Sequence, residues 1–138
     1  MPGKAPHVLK RILIALLLAG PAGCASVDER SAAATDMALR LLAAVDSKDG
    51  AAACAMLAPQ TRAAVEESAG QPCDQAILDE DLPALGSVTG ADVYGQWAQV
   101  RLSDDTLFLS VFPGGWRVVA AGCKSRGDLP YDCSVQGG

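Results

Sequence analysis

The sequence predicts an α+β fold, in which N-terminal helices come first and pack on a four-stranded antiparallel sheet that follows. Before Gly86, alanine is frequent and apolar residues recur at helical spacing. After Gly86, short apolar or alternating runs are separated by turn residues, a pattern typical of strands. This second half also contains all six aromatic residues, Tyr94, Trp97, Phe108, Phe112, Trp116 and Tyr131.

Four helices are expected in the first half. Ser31 is the expected cap of the first helix, Pro59 fits the first turn of the third, and Gly70 follows the end of the third. The predicted ranges are 31–47, 51–57, 59–68 and 73–79.

Four strands are expected in the second half, over residues 88–94, 97–102, 106–112 and 116–121. Their connections are short, so neighbouring strands must be antiparallel. The third strand is nearly all apolar and is predicted to be central, with both faces covered. The tail, residues 122–138, is expected to be irregular and held by its two cysteines.

The N-terminus has the layout of a bacterial secretory leader. Three basic residues precede an apolar run over residues 12–20, and small residues follow at 21–23, just before Cys24. The apolar run is too short to span a bilayer as a mature helix. The arrangement resembles the leader of bacterial lipoproteins, in which the cysteine is lipidated and becomes the new N-terminus.

This resemblance implies three segments: a signal peptide over residues 1–23, a short tether over 24–30 and a single domain over 31–138. The domain would be attached by lipid on Cys24 to the outer face of the cell membrane. Pro21 stands where such leaders usually carry a branched apolar residue. The alternative is therefore ordinary cleavage nearby, for example after Ala25, which discards Cys24 and gives a secreted protein.

Four cysteines remain once Cys24 is set aside, and in an oxidising compartment they predict two disulfides. Three connectivities exist. We favour Cys54–Cys73 and Cys123–Cys133, because each pair is close in sequence and encloses a turn-rich stretch. A zinc site made of all four thiolates is the alternative, but the chain lacks a CxxC pair. We expect no metal ion and no cofactor.

The mature chain would be acidic, with eight Lys and Arg against sixteen Asp and Glu, a net charge of −8. This charge argues against nucleic acid as a partner, because nucleic-acid binding depends on basic side chains that neutralise phosphates. It also repels anionic headgroups, so membrane attachment would depend on acyl chains. The single histidine, His7, lies in the leader, so the domain has no imidazole for Ser-His-Asp or Cys-His catalysis.

Three stretches carry a resemblance to a known superfamily. LLAAVDSKDGAAACAMLAP resembles the junction of the first two helices of the nuclear transport factor 2-like superfamily, and VTGADVYGQWAQVRL and TLFLSVFPGGWRVVAAGC resemble its late strands. The resemblance covers residues 33–123 and implies a curved sheet that wraps the first helix into a cone with a pocket at its open end. The whole chain is similar to small actinobacterial lipoproteins, a group without an assigned activity.

The superfamily includes ketosteroid isomerase, which sets an Asp base against a protonated Asp and a Tyr. The candidate pocket residues here are Asp36 on the first helix and Asp92, Tyr94 and Trp97 around the first hairpin. No stretch reproduces the isomerase site residue by residue, so no catalytic residue is assigned.

We therefore expect a non-catalytic cell-envelope lipoprotein that binds a small apolar ligand or a protein partner. The alternative is a small enzyme of isomerase or cyclase type that uses carboxylate acid-base chemistry in the cone. A third class is a structural partner of a membrane protein, with the cone filled by side chains.

Overall fold

The computed structural model describes residue 3 and residues 25–137, and Cys24 and the predicted leader segment 4–23 lie outside the described residues. The fold is α+β, as predicted. The helices are α1 (Val27–Asp46), α2 (Gly50–Met56), α3 (Pro59–Ala69) and α4 (Cys73–Asp79). The strands are β1 (Val88–Tyr94), β2 (Trp97–Leu102), β3 (Thr106–Phe112), β4 (Gly115–Arg126) and β5 (Leu129–Gln136). Within the described part of the chain, no helix is long and apolar enough to cross a membrane.

The sheet has five strands and not the predicted four. All pairs are antiparallel, and the spatial order β1-β2-β3-β4-β5 follows the sequence. The expected irregular tail is wrong: β4 continues to Arg126, and the chain returns as β5 through a two-residue turn that begins at Gly127. Gly127 adopts a φ of +67°, which such tight hairpin turns require. Pro130 is tolerated because β5 is an edge strand.

Helix α1 begins four residues before the expected cap at Ser31. The Ser26 hydroxyl accepts the Glu29 backbone N–H at 3.1 Å, and the Glu29 carboxylate accepts the Ser26 N–H at 2.8 Å. This reciprocal capping box satisfies two N–H groups that a helix start otherwise leaves unpaired. Only Ala25 and Ser26 therefore stand between Cys24 and the first helical residue, within the segment expected to be a tether.

The core lies between α1 and one face of the sheet. The buried face of α1 contributes Ala34, Ala38, Leu41 and Leu42, and alternate strand residues such as Val100, Leu107, Leu109 and Val118 meet it. We call the opposite face of the sheet the outer face. As expected, β3 is the central strand, and none of its residues is exposed: Leu107 and Leu109 are fully buried on the inner face, whereas on the outer face Ser110 is buried and Thr106 and Phe108 are half-buried.

Both predicted disulfides are present. Cys54–Cys73 joins α2 to the first residue of α4, with the Cα atoms 6.1 Å apart. Cys123–Cys133 joins directly paired positions of β4 and β5, with the Cα atoms 3.9 Å apart.

Candidate functional site

The outer face of the sheet carries an apolar depression, which we call the outer hollow. Its volume is about 290 Å³. It extends over β2, β3, β4 and β5, so every strand except β1 contributes a side chain. The lining residues are Trp97, Phe108, Val119, Ala120, Pro130, Tyr131, Cys133, Gln136 and Gly137.

Two aromatic rings form one side of the outer hollow. The ring centroids of Phe108 and Tyr131 lie 5.0 Å apart with an interplanar angle of 75°, the edge-to-face arrangement that aromatic pairs favour. The side-chain amide of Gln99 donates a hydrogen bond to the Tyr131 hydroxyl at 3.1 Å. Since a hydroxyl both accepts and donates, the Tyr131 O–H can still donate to a ligand. The hollow thus combines apolar walls with one oriented polar group.

Trp97 forms the rim of the outer hollow at the start of β2. It pairs across the β1–β2 hairpin with Tyr94, and the two side chains are 51% and 53% exposed. Further along the same hairpin, Arg101 donates a hydrogen bond of 2.5 Å to the Asp92 carboxylate. Strand alternation therefore places Asp92, Tyr94 and Trp97 together on the outer face, of which Trp97 alone lines the hollow.

Asp36 lies apart from the other three predicted pocket residues. It is on the exposed side of α1, where its carboxylate is 3.8 Å from the Arg40 guanidinium. It lines a separate, shallow groove of about 520 Å³ between α1 and β1, together with residues such as Ser31, Leu39 and Val88. Because α1 packs on the inner face of the sheet, the fold does not bring Asp36 to the outer hollow.

Asp105 is a buried carboxylate that the sequence does not single out. It lies in the turn between β2 and β3, only 5% exposed, and its Oδ1 accepts the Cys123 backbone N–H at 3.0 Å. Its Oδ2 has no hydrogen-bond partner among the described residues. Burial raises the pKa of Asp105, although hydrogen bonds from the backbone N–H groups of Cys123, Gly122 and Thr106 act in the opposite direction. The adjacent Asp104 is exposed, so the sequence pattern marks the turn but not which aspartate is buried.

Comparisons of the chain with family models, curated protein sequences and solved structures find no match. Over residue 3 and residues 25–137, no cluster of three or more His, Cys, Asp or Glu side chains is arranged to hold a metal ion.

Proposed function

We propose that this protein is a cell-envelope lipoprotein, anchored through Cys24 at the outer face of the membrane, that binds a small apolar ligand in the outer hollow without transforming it. The observation that carries the proposal is the hollow itself. Its volume of about 290 Å³ is close to the lower end of small-molecule sites, roughly 300 Å³. An apolar cavity of about 150 Å³ accommodates benzene, so a ligand of one or two rings has the appropriate size.

The lining residues indicate the class of ligand. Trp97, Phe108 and Tyr131 offer ring surfaces for a flat apolar compound. The Tyr131 hydroxyl can donate to a single acceptor such as a carbonyl or ether oxygen. The net charge of −8 disfavours anionic compounds, so we expect a neutral or cationic ligand.

Two features support the location in the cell envelope. The leader pattern ends at Cys24, and the capped start of α1 follows within three residues. The domain also has two disulfides, which persist in oxidising compartments such as the exterior of the cytoplasmic membrane.

We also propose that the domain is a distant relative of the nuclear transport factor 2-like superfamily with a cone-like shape. The support is the 20-residue α1, which contacts β1, β2, β3 and β4. Register shifts at Val88/Gly90, Phe108/Leu109 and Lys124/Arg126 favour a curved sheet, because bulges bend strands.

Native mass spectrometry of the mature protein, extracted in detergent from its own membranes, tests this function. We expect a diacylglyceryl mass on Cys24 and a retained small molecule. Val119→Phe adds a ring to the outer hollow and should lose the retained molecule. Leu85→Ala is the matched control, because Leu85 is exposed and does not line the hollow.

Each part of the proposal can fail separately. Retention of the molecule by Val119→Phe at the wild-type level would show that it binds elsewhere. If the protein carries lipid but retains no small molecule, the proposed ligand is wrong. A protein partner is then expected and can be sought by crosslinking. A protein without lipid would be the secreted form.

A further inference from the structure

The start of α1 and the β1–β2 hairpin lie side by side at one end of the domain. Arg30 donates a hydrogen bond to the Gly95 carbonyl in the hairpin turn, and Ser31 Oγ donates to the Ala91 carbonyl at 3.4 Å. The Arg30 guanidinium also lies 5.5 Å from the centroid of the Trp116 ring, at the start of β4. We call this end, with Val27 and the hairpin turn, the anchor end.

The anchor end exposes apolar side chains of the type that favours a membrane interface. Val27 is 64% exposed, and Tyr94 and Trp97 are each about half exposed. These three are half of the six large hydrophobic side chains that the described residues leave exposed. Tyr and Trp concentrate at the headgroup level of bilayers, because their rings are apolar at one edge and polar at the other.

The chain length before Val27 limits how far this end can lie from the bilayer. Cys24 is three residues before Val27, a span of at most about 11 Å when fully extended. The headgroup region of one leaflet is itself roughly 5–7 Å thick. A lipid on Cys24 therefore holds Val27 at or close to the headgroups.

The charge distribution favours the same orientation. The domain as a whole carries −8, with eight basic and sixteen acidic side chains. At the anchor end, Asp28 and Glu29 are offset by Arg30 and by Arg117, which lies in the same cross-strand row as Trp97. The excess acidic charge is therefore elsewhere, and anionic headgroups would repel it away from the surface.

We infer that the anchor end is seated in the interfacial region of the phospholipid bilayer, with Val27, Tyr94 and Trp97 in contact with lipid. This inference rests on the proposed lipid anchor and adds a fixed orientation to it. The start of α1 and the β1–β2 hairpin contact the membrane, so the rim of the outer hollow at Trp97 lies beside the membrane.

Tryptophan fluorescence tests this orientation, using the mature lipoprotein reconstituted in phosphatidylcholine–phosphatidylglycerol vesicles. Trp116→Phe leaves Trp97 as the sole tryptophan. We expect its emission to shift to the blue on reconstitution, to lose quenching by aqueous iodide and to gain quenching by lipids with a shallow doxyl label. Trp97→Phe retains Trp116, which is 7% exposed, and should show none of these changes.

Iodide quenching is also measured in variants that keep both tryptophans, so that any effect of Trp116→Phe on folding is absent. Val27→Glu and Tyr94→Ser should restore iodide quenching, whereas Leu129→Ser, at the β4–β5 turn, should not. The mass of each sample establishes whether Cys24 carries lipid. A lipidated protein whose Trp97 stays as accessible to iodide as in detergent-free, unlipidated protein overturns the orientation alone. A protein that never carries lipid overturns the anchor and the orientation together.

Discussion

The carboxylate of Asp105 accepts the backbone N–H of Cys123 at 3.0 Å, across 18 residues of chain. This bond ties the β2–β3 turn to the middle of β4. Its donor group on β4 lies next to Gly122, which has a φ of +64°, and at the Cys123–Cys133 disulfide. Asp105 is therefore a structural group that joins the β2–β3 turn to β4 at the residue that carries the disulfide to β5.

The pH dependence of stability should report on Asp105. Burial raises its pKa in the folded state above the ordinary value of 3.8, so the folded protein holds the proton more tightly than the unfolded chain. The contribution of Asp105 to stability is greatest below pH 3.8 and is lost as the pH rises through the raised pKa. The Asn side chain of the Asp105→Asn variant does not titrate. The unfolding free energy of this variant should therefore rise relative to that of the wild type as the pH increases across this window. Urea unfolding at a series of pH values measures the difference, and a pH-independent difference would contradict the prediction.

Asp105→Ala is the companion variant. It leaves the buried Cys123 N–H without its acceptor, which should reduce the unfolding free energy by about 1–3 kcal/mol at neutral pH. Asn can still accept this hydrogen bond through its side-chain oxygen. Equal losses for the two substitutions would show that the charge, and not the hydrogen-bond acceptor, is what the fold requires.

Gly50 should not tolerate a side chain. A Cβ at this position would overlap the backbone carbonyl of Asp74, because α2 begins directly against α4. We expect Gly50→Ala to reduce the unfolding free energy by about 3 kcal/mol or more, since the backbone of α4 must shift.

Gly70→Ala is the control for Gly50→Ala. Gly70 has a φ of +62° but nothing within 4 Å of an added Cβ, so only a conformational cost of about 1–2 kcal/mol is expected. Chemical unfolding of both variants makes the comparison. If Gly50→Ala reduces the unfolding free energy by no more than Gly70→Ala does, α2 does not approach α4 as closely as the structure shows.

Phe108 and Tyr131 should be energetically coupled. Their edge-to-face contact joins β3 to β5, which are not hydrogen-bonded neighbours. In a double-mutant cycle with Phe108→Leu and Tyr131→Leu, we expect a coupling free energy of about 0.5–1.5 kcal/mol from urea unfolding. Tyr131→Phe keeps the ring and should preserve most of this coupling. Additivity within about 0.3 kcal/mol would indicate that the rings do not interact.

Loss of the Cys54–Cys73 disulfide should act locally. The double variant Cys54→Ala/Cys73→Ala should lose about 3 kcal/mol of stability, as expected for a loop closed by residues 19 apart. Hydrogen exchange should accelerate most in α2 and α4, since the bond joins these two helices. The matched variant Cys123→Ala/Cys133→Ala should instead accelerate exchange in β4 and β5. The same exchange pattern in both double variants would contradict this assignment.

The elements that the sequence predicted well are those bounded by glycine or proline. Pro59 starts α3, Gly70 ends it in the left-handed conformation, and Tyr94-Gly95-Gln96 turns β1 into β2. The start of α1 was misplaced, although Ser26 and Glu29 have the spacing of a capping box. Ser31, the expected cap, lies inside α1.

Strand β5 was missed because its polar residues and Pro130 suggest a loop. Its alternation of Tyr131, Cys133 and Val135 is a strand signal that these features conceal. The outer hollow could not be predicted without β5, since Tyr131 completes its aromatic wall. Trp97 is the single member of the predicted pocket set that lines the outer hollow. Asp36, Asp92 and Tyr94 take positions that depend on which face of the sheet the helices cover, and local sequence does not determine that choice.

The two disulfides each close within one pair of neighbouring elements, α2 with α4 and β4 with β5, and neither joins the helical layer to the sheet. In a chain that is exported as we propose, the residues after the leader emerge in sequence order, so Cys54 and Cys73 are both outside before Cys123 arrives. Once Cys24 is lipidated or removed, the native partner is the nearest free thiol at each stage of translocation. The order of the cysteines along the chain thus favours correct oxidation during export, without a need for later isomerisation.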